Sequence, residues 1–346
     1  MSKQIYVRAQ ADHIESLFKG TPLSAIEELV WNALDAGARE VRVDLVTNAL
    51  GAVEAVRVAD NGTGIDARRA DQLFGNLGGS WKRDFRGSGT AERLLHGRHG
   101  RGRFKAFALG SEVEWRTTVR IGDDLLSYRL SGSADRPGVF DVEDSPAGAA
   151  PGTEVYVANV RATVDSLLDA GETVQALAAR FALHLKSYPD VRIYFNGLPV
   201  TPVIVQRRTT DYRLTLEDGA TARLEVIEWK RKFVGSGRLV FADPGGFRLH
   251  EQPAGVRSGV DSSFTAYLIS PRFPALAAEN ALVMDELNPE VRRYLDAARR
   301  ILKSHFVAMS GEKTAFEREW EDRIAALSRD ERRSLLAILK RSLKAK

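Results

Sequence analysis

Glu28, Asn32 and Asp35 stand four and three residues apart in the stretch Ser24-Ala25-Ile26-Glu27-Glu28-Leu29-Val30-Trp31-Asn32-Ala33-Leu34-Asp35-Ala36-Gly37-Ala38. At about 100° per residue on a helix, that spacing stacks the three on one side. Ile26, Leu29, Val30, Ala33 and Leu34 fall on the other side as an apolar face. The polar face holds no lysine or arginine. A carboxylate one turn before an amide can polarise a water while the amide oxygen ligates a hard cation, as a magnesium–phosphate site needs. An ordinary solvated acidic face has the same appearance, and the spacing alone leaves both readings open.

Three further motifs carry possible chemistry. Asp60-Asn61-Gly62-Thr63-Gly64 sets a carboxylate at a strand end, able to accept from the exocyclic amine of adenine. Its glycines let a planar ligand approach the backbone, although Asp-Asn-Gly is also a common turn former. Gly97-Arg98-His99-Gly100-Arg101-Gly102-Arg103-Phe104-Lys105 would offer backbone N–H groups to phosphate, and no Gly-Lys-Ser/Thr follows to make it a Walker loop. Gly152-Thr153 adds a hydroxyl at the start of a late strand.

The elements that must position these residues are legible in outline. Thr21-Pro22 supplies a cap and first residue for the helix, Ser24-x-x-Glu27 an alternative capping box, and Gly37 a stop. A short helix precedes it over 11–19. Alternating runs predict strands over 40–47, 53–59, 112–121, 125–131 and 153–160. Helices are expected from Asp66 to Phe74, over 164–170 and over 172–187. The segment 192–197 reads as a strand entering a tight turn. Between Gly75 and Gly110 glycine recurs and basic residues outnumber acids. So long a glycine-rich segment is usually functional, and a basic surface loop is the plain alternative. The segment 132–152 reads as a loop. Beyond residue 205, strands are expected over 212–216, 223–229, 238–242 and 264–269. A helix capped by Asn288 follows to about Met309. Two charged helices then end the chain, the last opened by Ser328-x-x-Glu331.

Bulk properties narrow the class. The 346 residues predict two domains, and 44% hydrophobic with 28% charged residues is a globular composition. No apolar run approaches the roughly 18 residues of a membrane span, so no membrane partner is expected, and a cytoplasmic location is. The absence of cysteine excludes disulfides, thiolate zinc sites and thiol nucleophiles. The six histidines give no metal spacing beyond His96/His99, and a net charge of +4 permits a nucleic-acid partner without requiring one.

The order Glu28-x-x-x-Asn32, Asp60-x-Gly62-x-Gly64, Gly97-x-x-Gly100-x-Gly102, Gly152-Thr153 resembles the ATPase superfamily of DNA gyrase, MutL, MORC proteins, sensor kinases and the ninety-kilodalton heat-shock chaperones. The stretch from Glu28 to Ala38 is close to the MutL form, and Arg103-Phe104-Lys105 is similar to MORC-like bacterial proteins. The resemblance spans about residues 11–200. It implies an α+β chain: a two-layer α/β sandwich of the Bergerat type over 1–204, a smaller α/β transducer-like domain over 205–287, and C-terminal helices over 288–346.

The resemblance also implies ATP and magnesium as ligands. Glu28 would be the general base, Asn32 the magnesium ligand and Asp60 the adenine acceptor. The remaining nucleotide site would comprise Asp35, Gly62, Gly64, Gly97, Gly100, Arg101, Gly102, Arg103, Phe104, Lys105 and Thr153, with Ser80 and Lys82 on a lid. Relatives reach a basic residue from the second domain to the terminal phosphate; here 273–290 holds none, and Arg272, Lys230 and Lys232 are the nearest candidates. Trp31 stands where MutL has an acid and is expected to alter the pocket wall. The implied cycle is a nucleotide-dependent homodimer acting on double-stranded DNA. A protein client, or a binding module without turnover, is the alternative. The few residues ahead of the ATPase region disfavour a histidine kinase.

Overall fold

Helix α1 (Pro22–Asp35) begins where Thr21 accepts the Ser24 N–H on its hydroxyl at 3.2 Å, so threonine, and not the Ser24–Glu27 box, is the cap. Ala36 closes the helix ahead of Gly37. Ile26, Leu29, Val30, Ala33 and Leu34 are buried as the periodicity predicts, and Trp31 is buried with them. The computed structural model describes residues 15–69, 102–146, 148–230, 237–256, 263–284, 287–326 and 328.

The first sheet has eight strands in the order β5-β4-β3-β6-β2-β1-β7-β8. They are β1 (Glu40–Thr47), β2 (Val53–Asp60), β3 (Gly110–Ile121), β4 (Asp124–Ser133), β5 (Phe140–Ser145), β6 (Gly152–Val160), β7 (Arg192–Phe195) and β8 (Leu198–Pro199). Among the described residues of this sheet, only β1 and β7 pair in parallel. Asn196-Gly197, both at positive φ, makes the tight turn that joins β7 to β8. Inward residues such as Val41, Val43, Val58 and Val157 form one core with α1 and with α2 (Ala170–Ser187). The fold is a two-layer α/β sandwich.

The second sheet runs β12-β11-β13-β10-β9. Its strands are β9 (Gln206–Thr215), β10 (Thr221–Trp229), β11 (Arg238–Ala242), β12 (Arg248–Pro253) and β13 (Ser263–Ile269). The short helix α3 (Pro202–Val205) precedes this sheet, and α4 (Phe273–Ala278) and α5 (Pro289–Ala326) follow it. Phe273, Leu276, Tyr294 and Leu302 cover one face. The other face rests on α2, where Ala179, Ala182 and Leu183 meet Ile227, Trp229, Val240 and Tyr267. Covered on both sides, β13 is buried at every residue instead of alternating. Tyr267 donates its hydroxyl to the Ala179 carbonyl at 2.8 Å, and Lys186 pairs with the buried Glu225 at 2.7 Å.

Several elements depart from the sequence expectation. The expected loop 132–152 contains β5, an edge strand whose residues are mostly exposed. The helix expected at 164–170 is a 3₁₀ segment over Ala162–Leu167. Strand β12 and helices α3 and α4 were not anticipated. Asn288 does cap α5, accepting from Glu290 and Val291 at 2.9 and 3.1 Å, but the helix continues past Met309 to Ala326. Of the helix expected over 66–74, a 3₁₀ turn at Ala67–Arg69 is seen; the rest, most of the 11–19 helix and the Glu331 end of the last capping box lie outside the described residues. Among the described residues no helix is long and apolar enough to cross a membrane.

Candidate nucleotide site

Asp60 ends β2 in the middle of the first sheet, paired with Thr153 of β6, which pairs in turn with Thr117 of β3. Its carboxylate accepts the Gly62 N–H at 2.7 Å and an N–H from Thr153. Burial pushes its pKa from the ordinary 3.8 up to about 6, against the opposing pull of those two donors. Beside it the Thr117 and Thr153 hydroxyls lie 3.0 Å apart, both buried, and Thr117 also accepts the Ile65 N–H at 2.7 Å. Thr117 escaped the sequence reading. Its signal was a threonine on the inward phase of an otherwise apolar strand face.

The loop after Asp60 is fastened to the end of α1. Thr63 donates to the Ala36 carbonyl at 2.8 Å, and the Asn61 side chain accepts from the Arg39 and Glu40 amides at 2.9 Å each. A Cβ on Gly62 would lie 2.8 Å from the Ala36 oxygen. One on Gly64, at φ +77°, would lie 2.0 Å from the Thr118 oxygen. The sequence suggested that these glycines clear space for a planar ligand. Here the space is taken by the protein's own backbone, so chain-on-chain packing also requires them.

Fastening the loop brings the turn after Asp60 to the C-terminal end of α1, the helix that bears the half-buried Glu28, Asn32 and Asp35. The exit of the basic glycine-rich segment reaches the other end of the helix. There a 3₁₀ turn over Gly102–Ala108 places Phe104 in the core against Phe18 and Phe140, and Lys105 donates to the Lys19 carbonyl at 2.8 Å. With 1% exposure, Phe104 anchors the turn from below and does not line a cavity. Ser80, Lys82, Gly97, Gly100, Arg101 and the Arg103 side chain lie outside the described residues.

Residues 21–131 match the family model described as histidine kinase-, DNA gyrase B- and HSP90-like ATPase. That region of the chain is similar to ATPase domains of this type. It is 29% identical over 181 residues to a DNA mismatch repair protein MutL from Akkermansia muciniphila, covering 51% of this chain and 26% of the relative. A second MutL, from Lactobacillus acidophilus, is 47% identical over 53 residues, covering 15% and 8%. The aligned region thus spans about a quarter or less of these relatives' length. A solved structure described as the N-terminal domain of a DNA repair protein superposes with a TM-score of 0.52 at 13% identity, covering 86% of this chain and 98% of that one, which shows a common fold.

Two sequence expectations meet other contacts in the structure. Arg272 forks onto Glu290 at 2.8 and 3.1 Å, a hydrogen bond that holds Glu290 below its ordinary pKa. Lys230 donates to the Ile204 carbonyl at 2.7 Å. Two of the three candidates for a phosphate-directed cation thus make contacts within the second domain and its approach, and Lys232 lies outside the described residues. Trp31 is 2% exposed and packs on Phe181, His184 and Phe247, so it belongs to the seam with the second sheet and not to a pocket wall.

Proposed function

We propose that the chain is a magnesium-dependent ATP hydrolase in which Asp60 holds adenine, Glu28 activates water and Asn32 ligates the metal. The observation that carries this reading is the inward Asp60 carboxylate. It is held by two backbone donors, lined by two threonine hydroxyls, and joined through Gly62–Thr63 to the helix that bears Glu28 and Asn32. The residues present fit the ligands. A carboxylate accepts from an exocyclic amine, and its threonine neighbours complete a polar edge for a purine. Among the described residues no cluster of three or more His, Cys, Asp or Glu could hold a metal. A lone amide oxygen suits magnesium, which keeps several waters and is otherwise held by substrate phosphates. When bound, the ion neutralises charge developing on the transferred phosphoryl group. Asp35 closes the polar face one turn beyond Asn32, Thr153 takes the adenine edge, and Gly62 and Gly64 fix the loop.

By the same reading the Ser80–Lys82 and Gly97–Lys105 segments close over the phosphates. Residues 1–204 bind nucleotide, 205–287 relay the change, and two copies join when ATP is bound. Double-stranded DNA is the proposed partner, supported by the MutL relatives and by the basic runs before Lys105 and at Lys230-Arg231-Lys232. ATP turnover of the full chain with and without double-stranded DNA, at two salt concentrations, tests both halves. Magnesium-dependent turnover is expected, stimulated by DNA more strongly at low salt. No turnover removes the hydrolase assignment, and turnover indifferent to DNA removes the partner.

A further inference from the structure

Helix α1 has a second working edge, one residue out of phase with the first. Glu27 precedes Glu28 and Trp31 precedes Asn32, so each is rotated by about 100° from its neighbour. The Glu27 carboxylate is held by two guanidinium groups, that of Arg180 on α2 and that of Arg248 on β12, the latter at 2.9 Å. One turn on, the Trp31 ring meets Phe247 with centroids 6.1 Å apart. Phe247 is the last residue of the β11–β12 turn and Arg248 the first of β12. That turn is stiff: the buried Asp243 carboxylate accepts from the Phe247 amide at 2.7 Å and from the Gly245 and Gly246 amides.

The charges form a chain, Arg180–Glu27–Arg248–Glu251–Arg238, that crosses from the first sheet's helices to the second sheet. Arg248 and Glu27 are 12% and 15% exposed, so both are costly to leave unpaired. Each also has a partner on its own side of the seam, Glu251 for Arg248 and Arg180 for Glu27. Opening the link between them would therefore leave each charge with a partner.

We infer that the Glu27–Arg248 pair and the Trp31–Phe247 contact transmit the state of the nucleotide site to the second sheet, making Arg248 a positioning residue for Glu28. A turn of α1 that re-aims Glu28 must drag or release Arg248, and by reciprocity a displaced β12 must re-aim Glu28. This rests on the ATPase reading above. It also replaces the missing cation from 273–290 with a contact that touches α1 from behind instead of touching the phosphate.

The test uses the full chain with a non-hydrolysable ATP analogue and magnesium, reading amide exchange over 238–253, analogue affinity and turnover. In the wild type, analogue binding should change exchange in β12. In Arg248→Ala and in Phe247→Leu that change should vanish, and kcat should fall about tenfold with analogue affinity within about twofold. Arg248→Lys, which keeps the charge, should recover part of kcat, whereas an effect of misfolding would not be rescued this way. Analogue binding that leaves β12 exchange unchanged in the wild type overturns the inference and spares the ATPase reading. Equal kcat in Arg248→Ala does the same. A wild-type chain that does not bind the analogue overturns both.

Discussion

In Asp60→Asn the side chain keeps its size and the oxygen that accepts from Gly62, and it loses its charge. The wild-type carboxyl titrates near 6 instead of 3.8, a difference of about two units. At about 1.4 kcal/mol per unit, holding it ionised inside the fold costs about 3 kcal/mol. The sign follows from the raised value. The group's stabilising contribution is fully present below pH 3.8 and is lost as pH rises through 6. The asparagine protein has no such titration. Its amide nitrogen forfeits the bond from the Thr153 N–H, worth about 1 kcal/mol, so the variant should be about 2 kcal/mol more stable than wild type at pH 8. Urea unfolding of both proteins at pH 4 and pH 8, with amide exchange in β2 and β6 as the local readout, measures the gap. It should be wide at pH 8 and narrow or reversed at pH 4. A gap independent of pH would refute the burial argument. ATP affinity should move the other way: the substituted amide offers a donor to a donor, and wild-type affinity should fall as pH drops through about 6. A stabilised Asp60→Asn protein that still binds ATP would take Asp60 out of the site.

Three further outcomes follow from the same arrangement. Glu28→Ala should bind ATP with near wild-type affinity and lose about 10²–10⁴-fold in turnover, and unimpaired hydrolysis in a single-turnover assay would dismiss Glu28 as the base. Gly64→Ala drives a methyl into the Thr118 carbonyl from a left-handed backbone and should cost about 3 kcal/mol or more, read as a lowered urea midpoint; no loss would contradict the loop packing. Sedimentation velocity should show association of the chain on adding a non-hydrolysable analogue, and an unchanged mass would remove the nucleotide-dependent pairing.

What was legible in the sequence were the features set by near neighbours. The faces of α1 followed from a 3.6-residue period, its start from Thr21-Pro22, and the β7–β8 turn from Asn196-Gly197. What was not legible depends on partners far along the chain. Glu27 and Arg248 are 221 residues apart, and an acid beside Glu28 reads as one more solvated charge until β12 is folded against it. Trp31 was expected at the pocket wall because MutL has an acid at that place in the motif, whereas its partners Phe181, His184 and Phe247 lie far along the chain. Strand β5 hid because its alternation ends after Phe140 and Val142 within a run of loop residues, and α5 ran on because a charged helix offers no internal stop signal. Thr117 gains meaning only from the register that sets it opposite Thr153.

Helix α2 gives one side to each sheet, with Leu177, Ala178 and Phe181 in one core and Ala179, Ala182 and Leu183 in the other. A wall shared by two rooms cannot be moved with one of them. Any gene fusion, exchange or truncation that parts the second sheet from α2 would bare an alanine-rich helix side to water, with nothing built to cover it. Descent can lengthen the chain beyond either sheet or remodel its loops. The two sheets and the helix between them must be inherited as one block.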